Sequence, residues 1–185
     1  SHGYWLVLLD STVKHELADS PYNRRRASCE RVVEAIRRRC PRVELLRDAD
    51  MRMLDQVRSE ITDEDYRRAR YVIGENERVL RVCDALERGD YETVGRMMYL
   101  SHDGLRDDYE VSCEELDFLN GQARSFDVAG SRMMGGGFGG CTINLVREEL
   151  YDDFVAGACK AFTDRFGHEP KVYPVVISDG ARRVE

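Results

Sequence analysis

A run of glycines lies between two segments that have the pattern of strands, and it suggests chemistry carried by the main chain. Residues 130–146 read GSRMMGGGFGGCTINLV. Glycine adopts positive φ and has no Cβ, so a ligand can approach its backbone closely, and successive exposed N–H groups can bind an anion. A plain tight hairpin needs only two or three special residues. The composition therefore favours close approach of a phosphate or of another domain at Gly135, Gly136, Gly137, Phe138, Gly139 and Gly140.

The glycine run differs from the common nucleotide-binding loops. Gly135, Gly137 and Gly140 satisfy G-x-G-x-x-G, but a dinucleotide fingerprint leads into a helix, and here the alternating segment 141–146 follows. A Walker A loop has Lys after its last Gly, where this sequence has Cys141. No H-R-D or D-F-G motif of a protein kinase follows. The pattern that remains is strand, glycine loop, strand.

A second candidate site lies at the predicted start of a helix, in Val13–Arg26 (VKHELADSPYNRRR). Ser20 is the predicted N-cap and Pro21 the first helical residue, and a helix N-terminus offers free N–H groups and positive potential. Tyr22 in the first turn can point its hydroxyl at a polar ligand. Spacing alone favours a core role for Tyr22, and a solvated helix face for the run at 24–26.

A third segment, Ser101–Asp117 (SHDGLRDDYEVSCEELD), combines acidic residues with His102. These residue types suggest a metal site or an acid/base pair, but none of them has helix-face ligand spacing such as H-E-x-x-H. The sequence therefore favours a loop and capping segment. Ser112 and Glu115 form a candidate capping box for a short helix, and Asn120-Gly121 is predicted to turn the chain.

The elements around these segments indicate the fold class. Apolar runs and alternation predict strands at 4–9, 128–133, 141–146 and 171–177. Helical periodicity and capping residues predict helices at 20–40, 49–61, 62–88, from 90 onward, 112–119 and 148–166. On the longest helix the apolar stripe includes Leu80, Cys83 and Leu86. The order predicts an α+β domain with one antiparallel sheet covered by helices.

Composition excludes several classes of function. A net charge of −7 argues against broad nucleic-acid binding, and no apolar run is long enough to span a bilayer. The six cysteines contain no C-x-x-C pair, so a zinc site is not expected. They are predicted to be reduced, mostly buried thiols of a cytosolic protein. We therefore expect a cytoplasmic chain with no metal site, no nucleic-acid partner and no membrane partner.

Three segments together resemble the galactokinases, which belong to the GHMP family of small-molecule kinases. They are Val13–Arg26, Ser101–Asp117 and Gly130–Val146, and residues 68–80 (RARYVIGENERVL) also resemble a galactokinase helix. The glycine motif indicates only the wider family, which includes homoserine, mevalonate and phosphomevalonate kinases, whereas the other motifs are more specific. The resemblance covers nearly the whole chain. It implies the family's C-terminal domain, a ferredoxin-like antiparallel sheet covered by helices, with additional helices.

The resemblance also implies roles for individual residues. The glycine loop of such kinases lies at the cleft between two domains, near the nucleotide phosphates, and Gly135–Gly140 match it. Met134 departs from the motif, since many galactokinases have Thr there. Tyr22 matches the tyrosine that contacts the sugar, which favours a ligand role over a core role. The implied ligands of the complete enzyme are galactose and ATP, with Mg²⁺, none bound tightly by this chain alone.

Other galactokinase motifs are missing from the sequence. It contains no G-E-H-x-D-Y, no P-x-x-x-G-L-S-S-S-A and no catalytic Asp with a nearby Arg. We therefore expect residues 1–185 to be one domain, the C-terminal half of a galactokinase-like kinase whose N-terminal domain is absent. The complete enzyme would phosphorylate galactose at the 1-hydroxyl. This chain would contain no catalytic base and no Mg²⁺ ligand, and would be inactive alone.

Three alternatives remain open at this point. The chain can belong to a related kinase for another sugar, such as N-acetylgalactosamine or arabinose. It can belong to a non-catalytic sensor that binds galactose and ATP and signals to a transcription regulator, or act as a stand-alone binding or structural domain. Because a lost partner domain would leave an apolar face uncovered, we also expect the chain to self-associate.

Overall fold

A computed structural model describes residues 3–13, 21–178 and 180. The strands of this part are β1 (Tyr4–Asp10), β2 (Gly130–Met133), β3 (Cys141–Arg147) and β4 (Lys171–Val175). Its α-helices are α1 (Pro21–Arg37), α2 (Met51–Gln56), α3 (Asp63–Glu87), α4 (Tyr91–Asp107), α5 (Glu114–Ser125) and α6 (Tyr151–Phe166). Short 3₁₀ turns flank α2 and precede α6.

The strands form one antiparallel sheet in the order β2-β3-β1-β4. Among the described residues, α1 to α5 lie between β1 and β2, and α6 connects β3 to β4. This strand order is that of a ferredoxin-like fold with additional helices. The predicted α+β class and the single antiparallel sheet are therefore confirmed.

The strand register determines where the glycine loop lies. β1 and β3 pair along their whole length and end at the pair Asp10 and Cys141, and β2 pairs with β3 as far as Met133 and Thr142. The loop between β2 and β3 consequently leaves the sheet at the edge where β1 ends. At that edge the N–H of Ser11 donates to the carbonyl of Gly140, with 2.9 Å between nitrogen and oxygen.

One face of the sheet is covered by α5 and α6. Val7 and Val146 of the sheet pack there against Phe154 and Phe162 of α6, and all four side chains are fully buried. Burial of one such side chain contributes about 1.5–3 kcal/mol to stability. The spacing of four predicted in α6 is confirmed, because Phe154, Ala158 and Phe162 are its buried residues.

The additional helices form a second core and cover part of the other sheet face. Val32 and Ile36 of α1 pack with Leu54 of α2 and Ala69 of α3. Near the sheet, the C-terminal end of α3 and the N-terminal end of α4 contact Leu145 of β3. The helices between β1 and β2 therefore form a helical layer with its own core, part of which packs on the sheet.

Helix boundaries agree with the sequence at two caps and differ from it in α5. The side chains of Thr62 and Asp90 cap α3 and α4 as predicted. α5 begins after Cys113, which makes no side-chain cap bond. Ser112 donates instead to Asp117, with 2.5 Å between the oxygens, so the predicted capping box is wrong.

The turn predicted at Asn120-Gly121 is also wrong. Both residues lie inside α5, where Asn120 is 1% exposed. Its amide nitrogen donates to the carbonyl of Ser131 in β2 across 2.9 Å. This buried hydrogen bond overrides the local turn preference of the Asn-Gly pair.

Two expectations about burial are corrected. On α3, Leu80 is 68% exposed and Leu86 is 50% exposed, so the second half of the predicted stripe faces outward. Five of the cysteines are half-buried and Cys83 is exposed, instead of most being buried. Burial raises the pKa of the Cys113 thiol to about 11, which keeps it protonated. In the described part of the chain, no helix has the length and apolar character required to cross a membrane.

Candidate functional site

The glycine loop adopts a backbone that demands glycine at several positions. Positive φ occurs at Gly135 (89°), Gly137 (90°), Gly139 (149°) and Gly140 (85°). Phe138 also has a positive φ, of 64°, a conformation that costs a non-glycine residue about 1–3 kcal/mol and persists only where its surroundings enforce it. The loop is therefore held by contacts and is not a freely flexible segment.

Two of the glycines are required by packing within the chain itself. A Cβ on Gly137 would overlap the carbonyl of Val111, and a Cβ on Gly139 would collide with the carbonyl of Val13 at 2.6 Å. Gly139 is buried. These two positions need no ligand to explain why they are glycine.

Gly135, Gly136 and Gly140 have open space where a side chain would lie, although the N–H and the carbonyl of Gly140 are bonded to Val13 and Ser11. A Cβ at any of the three would meet nothing within 4 Å, and Gly135 and Gly136 are exposed. Gly136 has neither a positive φ nor a close neighbour, so the described residues give no reason for its identity. Open, glycine-lined backbone of this kind can receive an anion or a second protein surface.

Phe138 anchors the loop to the rest of the domain through its backbone and its ring. Its backbone N–H donates to the carbonyl of Val111 across 2.6 Å. The guanidinium carbon of Arg25 lies 5.4 Å from the centre of the phenyl ring, within the range of a cation–π contact. The loop is thus connected both to the segment after α4 and to the first turns of α1.

Arg25 corrects the prediction of a solvated arginine face. It is 8% exposed, and it donates to the carbonyls of Tyr109 and Glu110 at 3.1 and 2.6 Å. A third bond, of 3.1 Å, goes to the carbonyl of Pro21. The neighbouring Arg24 and Arg26 are exposed as predicted. The prediction was wrong for the middle arginine because its side chain points into the domain. Adjacent residues of one helix can lie in different environments.

Tyr22 lies in the first turn of α1 and is 49% exposed. The core role that spacing alone favoured is therefore wrong, and the side chain is open to a ligand. Arg25, one turn further along, contacts the glycine loop, so Tyr22 and the loop lie at the same end of the domain. The predicted cap Ser20 falls within residues 14–20, outside the described part of the chain.

The acidic segment predicted as a loop is helical up to Asp107. Within it His102 is fully buried. Its Nδ1 accepts the N–H of Met133 and its Nε2 faces Asp117, each across 3.1 Å. Because His102 is fully buried, its imidazole acts as a link between α4, α5 and β2 and not as an acid or base open to a ligand. Among the described residues, no group of three or more His, Cys, Asp or Glu side chains is placed to hold a metal ion.

An open apolar groove of about 1070 Å³ adjoins the loop on the sheet face opposite α6. Leu6 and Leu145 of the sheet form its floor, Tyr91 and Met98 of α4 lie along it, and Gly135 is at one end. Its lining is mostly apolar. The groove therefore extends from the candidate site across the sheet face that the helices leave partly uncovered.

Arg25 and His102 were not identified as anchors from the sequence. A buried arginine at a helix start has no pattern that separates it from its exposed neighbours. His102 and Asp117 are fifteen residues apart and meet only in the folded chain, so their spacing carries no signal.

Comparison with known proteins agrees with this fold. The family described as GHMP kinases C terminal matches residues 83–164, which include the glycine loop. A galactokinase of Clostridium beijerinckii is 41% identical over 184 residues, and one of Thermotoga neapolitana is 40% identical over 183. Each match covers 98% of this chain and 47% or 50% of the relative. The chain therefore spans about half the length of the curated relatives it matches.

Solved structures give the same result. The crystal structure of Lactococcus lactis galactokinase complexed with galactose matches 98% of this chain and 47% of its own, with a TM-score of 0.90 and 28% identity. An L. major mevalonate kinase in complex with R-mevalonate shares the fold, with a TM-score of 0.56 and 17% identity. Residues 83–164 thus match the C-terminal domain of the GHMP kinases, and the relatives that are similar to this chain over 98% of its length are galactokinases.

Proposed function

We propose that this chain is the C-terminal half of a galactokinase. The complete enzyme would transfer the γ-phosphoryl group of ATP to the 1-hydroxyl of galactose. The observation that carries the proposal is an identity of about 40% with curated galactokinases across 98% of the chain. Phosphoryl transfer depends mainly on positioning and charge stabilisation, so a domain that forms one wall of the cleft can matter without supplying a catalytic base.

In this proposal the chain contributes a sugar contact and a phosphate-facing wall. The hydroxyl of Tyr22, a residue that is 49% exposed, would bind galactose. Gly135, Gly136 and Gly140, where a side chain would meet nothing within 4 Å, would face the nucleotide phosphates. Gly137, Phe138 and Gly139 would hold the loop in place. Support comes from the position of Tyr22 and the loop at one end of the domain, bridged by Arg25.

The proposal leaves the catalytic base and the metal to the other half of the enzyme. Mg²⁺ would shield the charge of the transferred phosphoryl group. Its usual carboxylate ligands are not clustered at the loop within the described residues, so we assign no Mg²⁺ ligand here. We accordingly propose that this chain alone has no kinase activity and holds neither ATP nor Mg²⁺ tightly.

The test is galactose-dependent formation of ADP, measured for this chain alone and for the complete protein that contains it. We expect turnover and galactose 1-phosphate from the complete protein only. Turnover by the chain alone would contradict the assignment of the catalytic groups to the other half. A complete protein that binds galactose and ATP without turnover would contradict the kinase and support a sensor.

The same assay with other sugars tests the substrate. N-acetylgalactosamine and arabinose are the informative competitors, because relatives of this architecture can differ in the sugar they accept. A kcat/KM for either sugar that exceeds the value for galactose would replace galactose in the proposal while retaining the kinase.

A further inference from the structure

Arg25 contacts three separate segments at the end of the domain where the candidate site lies. Its guanidinium donates to the carbonyl of Pro21 in the first turn of α1, and to the carbonyls of Tyr109 and Glu110 after α4. It also lies over the ring of Phe138 in the glycine loop.

We propose that Arg25 is a positioning residue, which fixes the first turn of α1, with Tyr22, relative to the glycine loop. This inference rests on the proposed function in one respect, namely that Tyr22 and the glycine loop face the two ligands of a kinase. Arg25 itself need touch neither ligand. Its effect would pass through the main chain at 109–111 and through the phenyl ring.

The backbone that Arg25 holds is itself under strain. Glu110 has a φ of 56° and Phe138 a φ of 64°, both in the left-handed region that non-glycine residues avoid. Between them, the carbonyl of Val111 accepts the N–H of Phe138. Such conformations persist only where surrounding contacts determine them. The bond from Arg25 to the Glu110 carbonyl is such a contact, and so is the stacking on Phe138.

The arrangement requires arginine. Three nitrogens of one planar group point to three carbonyls, while the flat face remains for the ring, and an ammonium group cannot reproduce this fork. Burial, followed by the nearby Arg68 guanidinium, lowers the pKa of Arg25. The fold therefore keeps a cation where its charge is disfavoured, and three carbonyls with an aromatic ring offset that cost.

The first experiment measures backbone hydrogen exchange in this chain for Arg25→Lys and Arg25→Gln. We expect the Phe138 amide to exchange about tenfold faster or more, while β1 and β3 amides change little, because local opening is separable from global unfolding. Arg26→Lys is the matched control, since Arg26 is exposed and forms an ion pair with the exposed Glu30 at 2.8 Å. Unchanged protection of Phe138 in the Arg25 variants would overturn the proposal.

A second variant keeps the test decisive if Arg25→Gln does not fold. Phe138→Leu retains an apolar side chain and removes the ring that the guanidinium covers. We expect faster exchange at position 138, and a smaller added effect of Arg25→Lys in the double variant than in the single one. Fully additive effects would show that the two side chains are not coupled and would overturn the proposal.

Steady-state kinetics of the complete enzyme supply a reading that a merely structural role would not produce. Tyr22→Phe is expected to raise the KM for galactose alone, and Gly136→Ala the KM for ATP alone. Arg25→Lys should raise both KM values and lower kcat/KM by about tenfold for each substrate, because small misplacements are costly in such transfers. If both KM values stay unchanged, the positioning role is overturned. If the complete protein shows no turnover at all, the proposed function fails while the exchange data still decide the role of Arg25.

Discussion

The backbone N–H of Met133 donates to Nδ1 of His102 across 3.1 Å, which fixes the last residue of β2 immediately before the glycine loop. Because Nδ1 accepts this bond, a neutral ring has its proton on Nε2, where it faces Asp117 at 3.1 Å. The same carboxylate accepts a bond from Ser112. One buried imidazole thus connects α4 and α5 to the edge strand.

Replacement of His102 should lower stability by breaking this link. His102→Leu fills similar space but leaves the Met133 N–H without a partner, so we expect the free energy of unfolding in urea to fall by about 1–3 kcal/mol. His102→Asn places an amide oxygen near the position of Nδ1 and should recover part of the loss. A loss below about 0.5 kcal/mol, typical of neutral surface changes, would show that the bond contributes little.

Two adjacent glycines should respond differently to alanine. At Gly137 a methyl group would overlap the Val111 carbonyl in a positive-φ conformation, so Gly137→Ala should destabilise the chain by about 1–3 kcal/mol. At Gly136 the space is open and φ is not positive, so Gly136→Ala should change stability by less than about 0.5 kcal/mol.

The measurement is thermal unfolding of both variants, followed by the KM for ATP in the complete enzyme. Under the proposed function Gly136→Ala keeps its stability and loses affinity for ATP. A Gly136 variant with unchanged KM would mean that this open backbone does not face the nucleotide.

Much of the fold followed from local sequence patterns, and the reasons are visible in particular residues. The spacing of Phe154, Ala158 and Phe162 and the caps at Thr62 and Asp90 depend on interactions within one element, so periodicity and capping rules identified them. Asn120 was misjudged because its buried bond to Ser131 joins residues from different elements. A local turn preference depends only on neighbouring residues and does not include a partner in another element.

The candidate site was predictable to a similar degree. Glycine content and the galactokinase resemblance indicated the loop and Tyr22. The division of the loop into packed and open glycines depends on Val111 and Val13, which approach it only in the folded chain. The inward orientation of Arg25 has the same origin, since its acceptors at 109 and 110 are eighty-four and eighty-five residues away.

Removal of the Tyr22 hydroxyl tests the sugar contact. Loss of one hydrogen bond to a ligand costs about 1.4 kcal/mol, or tenfold in affinity, so Tyr22→Phe should raise the KM for galactose by about tenfold in the complete enzyme. Tyr66→Phe is the matched control, because the Tyr66 hydroxyl bonds Asp55 at 2.7 Å and lies on α3. Unchanged KM and kcat in the Tyr22 variant would remove this residue from the site.

The ion pair between Asp65 and Arg31 should make stability depend on pH. Burial alone would raise the pKa of Asp65, but hydrogen bonds from Arg31 and Ser28 lower it below its ordinary value of 3.8, and two Arg31 nitrogens lie 2.9 and 2.7 Å from the carboxylate. A carboxyl group with a lowered folded pKa stabilises the fold above its unfolded pKa. That stabilisation is lost as the pH falls through the folded value.

This dependence is measured by urea unfolding of the parent chain and of Asp65→Asn, at neutral pH and at about pH 3. We expect the asparagine variant to be less stable at neutral pH, and the difference from the parent to shrink in acid. Glu30→Gln is a control, because its exposed partner Arg26 gives a pair of little value. A difference that stays constant with pH would show that the charge of Asp65 does not contribute.

We also expect this chain to self-associate, and we expect the contact to form at the groove beside the glycine loop. Val176 and Ile177 on its rim are 85% and 84% exposed, and Trp5 is 44% exposed. Apolar surface of this extent usually marks an interface. Sedimentation velocity should therefore show concentration-dependent association of the chain, reduced by Ile177→Glu, which adds charge without disturbing the core. A single monomer species at high concentration would contradict the prediction, and it would mean that the uncovered sheet face is soluble without a partner.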